Sequence, residues 1–122
     1  MSLVRWNIEA QMVEVWDEDE HFLLHPYLEV VDFWENAKRI LEERGYSLPT
    51  FGQMYAIHKS RKDIDEIIVN HFGSQLKGDF WHWTRTPPKD YVYPAVYLHN
   101  KLCRHMRDPG RYIGRAVLDL NK

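Results

Sequence analysis

Two groups of histidines are the first residues whose types and spacing could do chemistry. His21 and His25 stand four apart, behind the run Asp17-Glu18-Asp19-Glu20. On a helix that spacing puts two imidazoles on one face, as a divalent metal site requires. Pro26 and the extended texture of Phe22-Leu23-Leu24 argue against a helix there, so the reading adopted is a solvated loop with ordinary histidines. His99, Cys103 and His105 form the second group, but a strand-plus-loop spacing of this kind is unspecific for zinc. Cys103 lies beside Arg104, and a nearby cation lowers a thiol pKa. No carboxylate close in sequence orients His99 or His105, so a small buried thiol is the commoner role. These residues assign no catalytic group, no metal and no cofactor.

A third set suits recognition. Trp81, Trp83, Tyr91, Tyr93 and Tyr97 are interleaved with Arg85, Lys89 and Arg104. Aromatic faces among cations can stack on sugars or on single-stranded nucleic acid. The tryptophans and Tyr97 are read as core. Pro87-Pro88 blocks ladder hydrogen bonding and forces the chain out of a regular strand. Arg85, Lys89, Tyr91, Tyr93 and Arg104 are therefore the candidate binding residues, at or near one surface, since loops on a rigid scaffold carry recognition.

The elements that must position them are mixed. Val4, Trp6, Ile8, Ala10 and Met12 alternate with polar residues, which predicts one half-buried strand over Val4–Met12. Val13 and Val15 switch phase, as at a bulge or a strand's end. The acidic run is placed in a solvated turn. Asp32, with Glu35 three residues on, predicts a capped helix carrying Phe33, Trp34, Ala37, Ile40 and Leu41 and stopping at Gly45. Thr50 and Gln53 predict a second capping box, with Phe51, Met54, Tyr55 and His58 inward. A third helix is expected from near Asp63, carrying Ile64, Ile67, Ile68 and Phe72 to Gly73. Trp81–Thr84, Val92–Leu98 and Ile113–Leu120 read as strands, the last two joined through Arg104–Gly110 with Asp108-Pro109-Gly110 as a turn. Strand, helices, then strands make an α+β domain. Trp34, Ala37, Leu41, Met54, Ile68, Trp81, Trp83 and Val117 are its expected core.

With 122 residues, 44% hydrophobic and 28% charged, the chain fits one globular domain over 1–122 with a sizeable core. No apolar run is long enough to span a membrane, and Met1–Trp6 has no signal-peptide core. A single cysteine excludes an intrachain disulfide framework and fits a reducing, cytoplasmic setting. The net charge of −2 divides unevenly: residues 1–84 hold 8 Lys/Arg against 15 Asp/Glu, and residues 85–122 hold 8 against 3. Oppositely charged layers within one domain explain this more simply than an acidic partner, because the cations are spread rather than clustered.

Four segments in order carry a resemblance: Asp32-Phe33-Trp34-Glu35-Asn36-Ala37, Gly45-Tyr46-Ser47-Leu48-Pro49-Thr50, Trp81-His82-Trp83-Thr84-Arg85-Thr86, and Gly114-Arg115-Ala116-Val117-Leu118-Asp119-Leu120. Together they resemble the bacterial C-type-lectin-like small domains of the major paralogous domain family, over roughly residues 27–120. The resemblance implies a C-type-lectin-like fold with paired N- and C-terminal strands, so Val4–Met12 is expected beside Ile113–Leu120. Arg85 departs from the family's small hydroxyl residue, and Lys101-Leu102-Cys103-Arg104-His105 departs from its Gly- and aromatic-rich hairpin. Arg115 on the closing strand is a candidate partner for a carboxylate of the acidic half. The calcium-lectin triplets Glu-Pro-Asn, Gln-Pro-Asp and Trp-Asn-Asp do not occur, and calcium needs six or more oxygens, so calcium-dependent sugar binding is not expected. Related formylglycine-generating enzymes use paired cysteines, which one cysteine cannot supply. The leading expectation is a non-enzymatic module that binds a protein or other macromolecule. The alternative is a nucleic-acid-associated protein using the basic C-terminal third, with a small metal-dependent enzyme third. Ligand and oligomeric state are not written in these residues.

Overall fold

The computed structural model describes residues 2–73, 81–86, 93–97, 103–106 and 111–120, with backbone alone at 2, 93–97 and 103–106. Ten elements follow in order: β1 (Ser2–Asn7), β2 (Met12–Asp17), β3 (Glu20–Asp32), α1 (Trp34–Glu43), α2 (Phe51–Lys59), α3 (Arg61–Phe72), β4 (Trp81–Trp83), β5 (Tyr93–Tyr97), β6 (Cys103–Met106) and β7 (Tyr112–Asp119). The strands form one seven-stranded sheet in the order β1-β2-β3-β7-β4-β5-β6. The chain is α+β.

The expected single strand over Val4–Met12 is instead a hairpin, with β1 and β2 in register from Ser2↔Asp17 to Asn7↔Met12. Asn7 makes the turn: its side-chain oxygen accepts from the Ala10 N–H at 2.9 Å, and its carbonyl accepts from the Gln11 N–H at 2.8 Å. Gln11 takes φ +56° to close it. Alternation cannot reveal such a turn when polar and apolar residues keep alternating through it. The phase change at Val13 and Val15 is therefore the inward pattern of a second strand, both residues being fully buried.

The strand beside the closing β7 is β3, not β1, and this corrects the expected pairing of the N- and C-terminal segments. β3 and β7 run antiparallel from Phe22↔Asp119 to Asp32↔Tyr112, with a bulge between Leu24 and Glu29. Pro26 has no N–H for the ladder, and His25 Nδ1 accepts from the N–H groups of Leu28 at 2.9 Å and Tyr27 at 3.3 Å. Burial holds the His25 pKa below the ordinary histidine value, which favours the neutral ring that these two bonds to Nδ1 require. So His21 and His25 lie on a strand rather than in a solvated loop. The acidic run is a hairpin turn closed by Asp17↔Glu20, with Glu18 at φ +50°. Asp17 is nonetheless buried, and its carboxylate meets Lys59 Nζ of α2 at 2.8 Å.

Phe33, not Asp32, is the N-cap of α1, and no side chain caps it. Asp32 is still in register with Tyr112 at the end of β3, so its carboxylate accepts instead from the Phe33 N–H (2.7 Å) and Asn36 Nδ2 (3.1 Å). At the far end Gly45, φ +88°, donates to Glu42 O while Tyr46 donates to Leu41 O, the paired bonds of a left-handed helix stop. Thr50 and Gln53 do form the reciprocal capping box of α2. Ser60 ends α2 and begins α3, and Gly73 stops α3 at φ +76°. Tyr55, Phe72 and Phe33, all expected inward, are 46%, 43% and 45% exposed.

Successive side chains of β7 point to opposite faces, and Ala116 and Val117 join different clusters, so the sheet is packed on both sides. Val117 packs with Val13, Val15, Phe22, Leu24, Met54, Ile64 and Ile68 against α2 and α3. Ala116 packs with Ala37, Leu41, Leu48 and Trp83 against α1. The chain passes from one layer to the other beside β7, where Ser47 and Val117 exchange two backbone hydrogen bonds of 3.0 Å. Trp83 is buried and its Nε1 donates to Asp32 O at 2.7 Å, as the expected core requires. Trp34 and Trp81, expected in the core, are only half-buried and pack against the cluster of Trp83 from outside. Cys103–Met106, expected as part of a connection, is a strand pairing with β5. The turn at Asp108-Pro109-Gly110 lies outside the described residues. No helix among the described residues is long and apolar enough to cross a membrane.

Candidate functional site

β4 and β5 pair antiparallel from Trp81↔Tyr97 to Trp83↔Ala95. β4 ends at Trp83 and β5 begins at Tyr93, so Arg85, Lys89 and Tyr91 fall in sequence between two paired strands, and Tyr93 opens the second. Lys89 and Tyr91 lie outside the described residues. Tyr93 begins β5 across from Met106, and Arg104 on β6 is across from Val96, both placed by backbone alone. Arg85 is the one candidate whose side chain is described.

The root of this connection is held from several directions. Thr84, buried, offers its carbonyl to Trp34 Nε1 at 2.9 Å. The Arg85 N–H donates to Pro49 O at 2.7 Å, and Arg85 Nε donates to Leu48 O at 2.8 Å. Its two terminal nitrogens reach Asp119 Oδ2 at 2.9 Å and Oδ1 at 3.1 Å, a bidentate pair with planar complementarity. Asp119 is fixed in turn by Gln53 Nε2 at 2.6 Å, while Gln53 Oε1 closes the α2 capping box. Arg85 therefore joins β4, β7, the Leu48-Pro49 crossing and the start of α2. Its carboxylate partner belongs to the basic third of the chain, not to the acidic half.

Glu20 adds a second carboxylate to this corner. A Cβ placed on Gly52 in the first turn of α2 would meet Glu20 Oε1 at 2.5 Å, so that carboxylate sits directly over the glycine. Burial, then the charges of Asp119 and Asp19, hold Glu20 above the ordinary glutamate pKa, and Arg85 opposes them.

Two further polar clusters serve the fold. Glu14 is buried on β2, where Oε1 accepts from Arg5 Nε (3.1 Å) and Asn7 Nδ2 (3.0 Å), and Oε2 lies 2.7 Å from His21 Nε2. Burial alone would raise the Glu14 pKa, but the hydrogen bonds from His21, Asn7 and Arg5 outweigh it and hold the group below the ordinary value. Trp16 stacks on the same imidazole, ring centroids 4.4 Å apart. His21 is thus fixed in a structural pair. Arg115, buried, meets its register partner Glu29 at 2.9 Å, the carboxylate from the acidic half that the sequence suggested.

Sequence reasoning missed an aromatic cluster at the end of α3. Trp6 stacks on His71 (4.1 Å) and meets Phe72 edge-on (5.8 Å), and Tyr27, 66% exposed, meets Phe72 at 5.3 Å. The rings come from three distant segments, so no local spacing could announce them. The signal available was Phe72 placed directly before a helix-stopping glycine.

Among the described residues no three His, Cys, Asp or Glu side chains gather as a metal site would require. Of the second histidine group, His99 lies outside the described residues, and Cys103 and His105 are placed on β6 by backbone alone. Comparison with protein families, with curated proteins and with solved structures finds no match to this chain.

Proposed function

We propose that the protein is a non-enzymatic, calcium-independent binding module that recognises another protein through the connection between β4 and β5. The observation that carries this reading is the fastening of Arg85 to Asp119 and to the Leu48 and Pro49 carbonyls. A connection that starts from a fastened Arg85 has a fixed base, and a fixed base lowers the entropy cost of binding by the residues that follow it. Tyrosine is also among the side chains that most often anchor interfaces. Arg85 acts as the positioning residue, with its guanidinium engaged internally, and the contact residues follow it along the chain.

A C-type-lectin-like topology belongs to the same reading. What supports it is that the strand leading into α1 pairs antiparallel with the closing strand, while β4–β5–β6 continue the sheet from the other side of β7. Fold analogy bears on architecture and does not by itself fix a ligand.

The test is affinity capture from a bacterial lysate on immobilised protein, in the presence of a chelator and after nuclease treatment. The reading expects a protein partner retained under both conditions. Retention abolished by chelator contradicts calcium independence. Retention abolished by nuclease, with steep salt dependence, makes the protein a nucleic-acid binder.

A further inference from the structure

We propose that His25 is an acid-released latch on the bulge of β3: the neutral ring holds the bulge in place, and protonation at Nδ1 releases it. The bulge lies between Leu24, in register with Val117, and Glu29, in register with Arg115, and residues 25–28 have no register partner on β7. Pro26 has no N–H to offer there. The N–H groups of Tyr27 (3.3 Å) and Leu28 (2.9 Å) instead converge on His25 Nδ1. A ring nitrogen accepts them only through its lone pair. In the imidazolium both nitrogens carry hydrogen, so the ring becomes a donor facing two donors. One titration thus deletes both bonds.

What the latch holds reaches both faces of the sheet. The Tyr27 ring lies 5.3 Å from Phe72 at the end of α3, and Phe72 in turn meets Trp6 of β1. Leu28 packs against the cluster of Leu41 and Trp83 under α1. Fixing two successive amides therefore fixes one side chain toward each helical layer.

The surroundings offer the charged ring no counter-ion. Tyr27 and Tyr46, the latter just beyond α1, meet the imidazole edge-on with centroids 4.5 and 5.5 Å away. The ionic groups of the adjoining elements are engaged elsewhere. Arg115 of β7 meets Glu29 at 2.9 Å, Arg61 of α3 meets Asp65 at 3.5 Å, and Glu14 of β2 is taken by Arg5 and His21. Among the described residues no carboxylate pairs with His25, and burial is what lowers its pKa. The latch is therefore complete above the ordinary histidine value and is lost as pH falls through the lower folded one.

The experiment follows wild type and His25→Asn from neutral to mildly acid pH. Long-range ¹H–¹⁵N spectra read the tautomer and charge of each histidine, and hydrogen exchange reads amide protection. Wild type is expected to hold the Nε2–H tautomer of His25 at neutral pH. Protection of the Tyr27 and Leu28 amides should fall about tenfold as that ring protonates, the loss of a hydrogen bond. Val117, whose N–H donates to Ser47 O at 3.0 Å, should stay protected, because the release is local. His25→Asn puts an amide oxygen in the place of Nδ1, which accepts the same bonds and does not titrate, while His21 still does. Both amides should then stay protected throughout. An Nδ1–H tautomer at neutral pH, protection indifferent to the charge on His25, or loss at Val117 in step would each overturn the assignment in wild type alone. Equal loss in His25→Asn would overturn it as well.

Discussion

Gln53 Nε2 donates to Asp119 Oδ1 at 2.6 Å, so the residue that completes the cap of α2 also holds the carboxylate that grips Arg85. One amide thereby couples a helix start, the end of the closing strand and the root of the β4–β5 connection. Gln53→Ala should remove the half of the cap in which Oε1 accepts from the Thr50 N–H, and release Asp119 together, at a cost of about 1–2 kcal/mol. Thr50→Ala removes the other half alone, the Oγ1 that accepts from the Gln53 N–H, and should cost about 1 kcal/mol. Urea denaturation of both variants checks the difference. Equal costs would mean that the Gln53–Asp119 bond adds nothing in solution.

Trp83→Ala should cost about 3–5 kcal/mol through lost burial and the cavity left between α1 and the sheet. The indole is 1% exposed and its N–H is committed to Asp32 O. A near-native melting temperature would place Trp83 outside the core.

Gly114→Ala tests how closely α1 lies on β7. A Cβ there would stand 3.0 Å from Leu48 Cδ2 and 3.3 Å from the Ala37 Cβ. Neither neighbour can move without disturbing the cluster they share with Trp83, so overpacking should cost about 1–3 kcal/mol. Unchanged stability would indicate a looser layer than described.

Two glutamates should respond to pH in opposite directions. Glu14 has its folded pKa depressed, so its stabilisation is complete above the ordinary glutamate value and is lost as pH falls through the folded one. Glu20 has its folded pKa raised, so its contribution is complete below the ordinary value and is lost as pH rises through the folded one. At neutral pH Glu14→Gln should therefore lower the melting temperature and Glu20→Gln should raise it. Both differences should shrink in acid. Melting curves from neutral to acid pH read this directly, and a Glu20→Gln variant destabilised at neutral pH would reverse the sign.

Local signals were legible where neighbours in sequence decide the outcome. Thr50 with Gln53, and Gly45 and Gly73, mark helix boundaries through bonds that span only a few residues, and each is found where the residues put it. Long-range competition was not legible. Asp32 fails as a cap because Tyr112 of β7 keeps it in the sheet. β3 was hidden because Pro26 interrupts its ladder, and only the His25 side chain restores the bonds. Asn7 turns a chain whose alternation runs straight through. Of the candidate site, Arg85, Lys89 and Tyr91 fall in sequence between the paired strands β4 and β5, and Tyr93 opens β5. That Arg85 would spend its guanidinium on Asp119 depends on a partner 34 positions away, which no local pattern encodes.

The central claim is that recognition uses the β4–β5 connection. Its most direct measurement is the calorimetric affinity of a captured partner for wild type and for the double variant Lys89→Ala with Tyr91→Ala, beside their melting temperatures. The account predicts binding weakened by about tenfold or more, chiefly through the loss of Tyr91 as an anchor, with an unchanged melting temperature. Wild-type affinity in the double variant would contradict it.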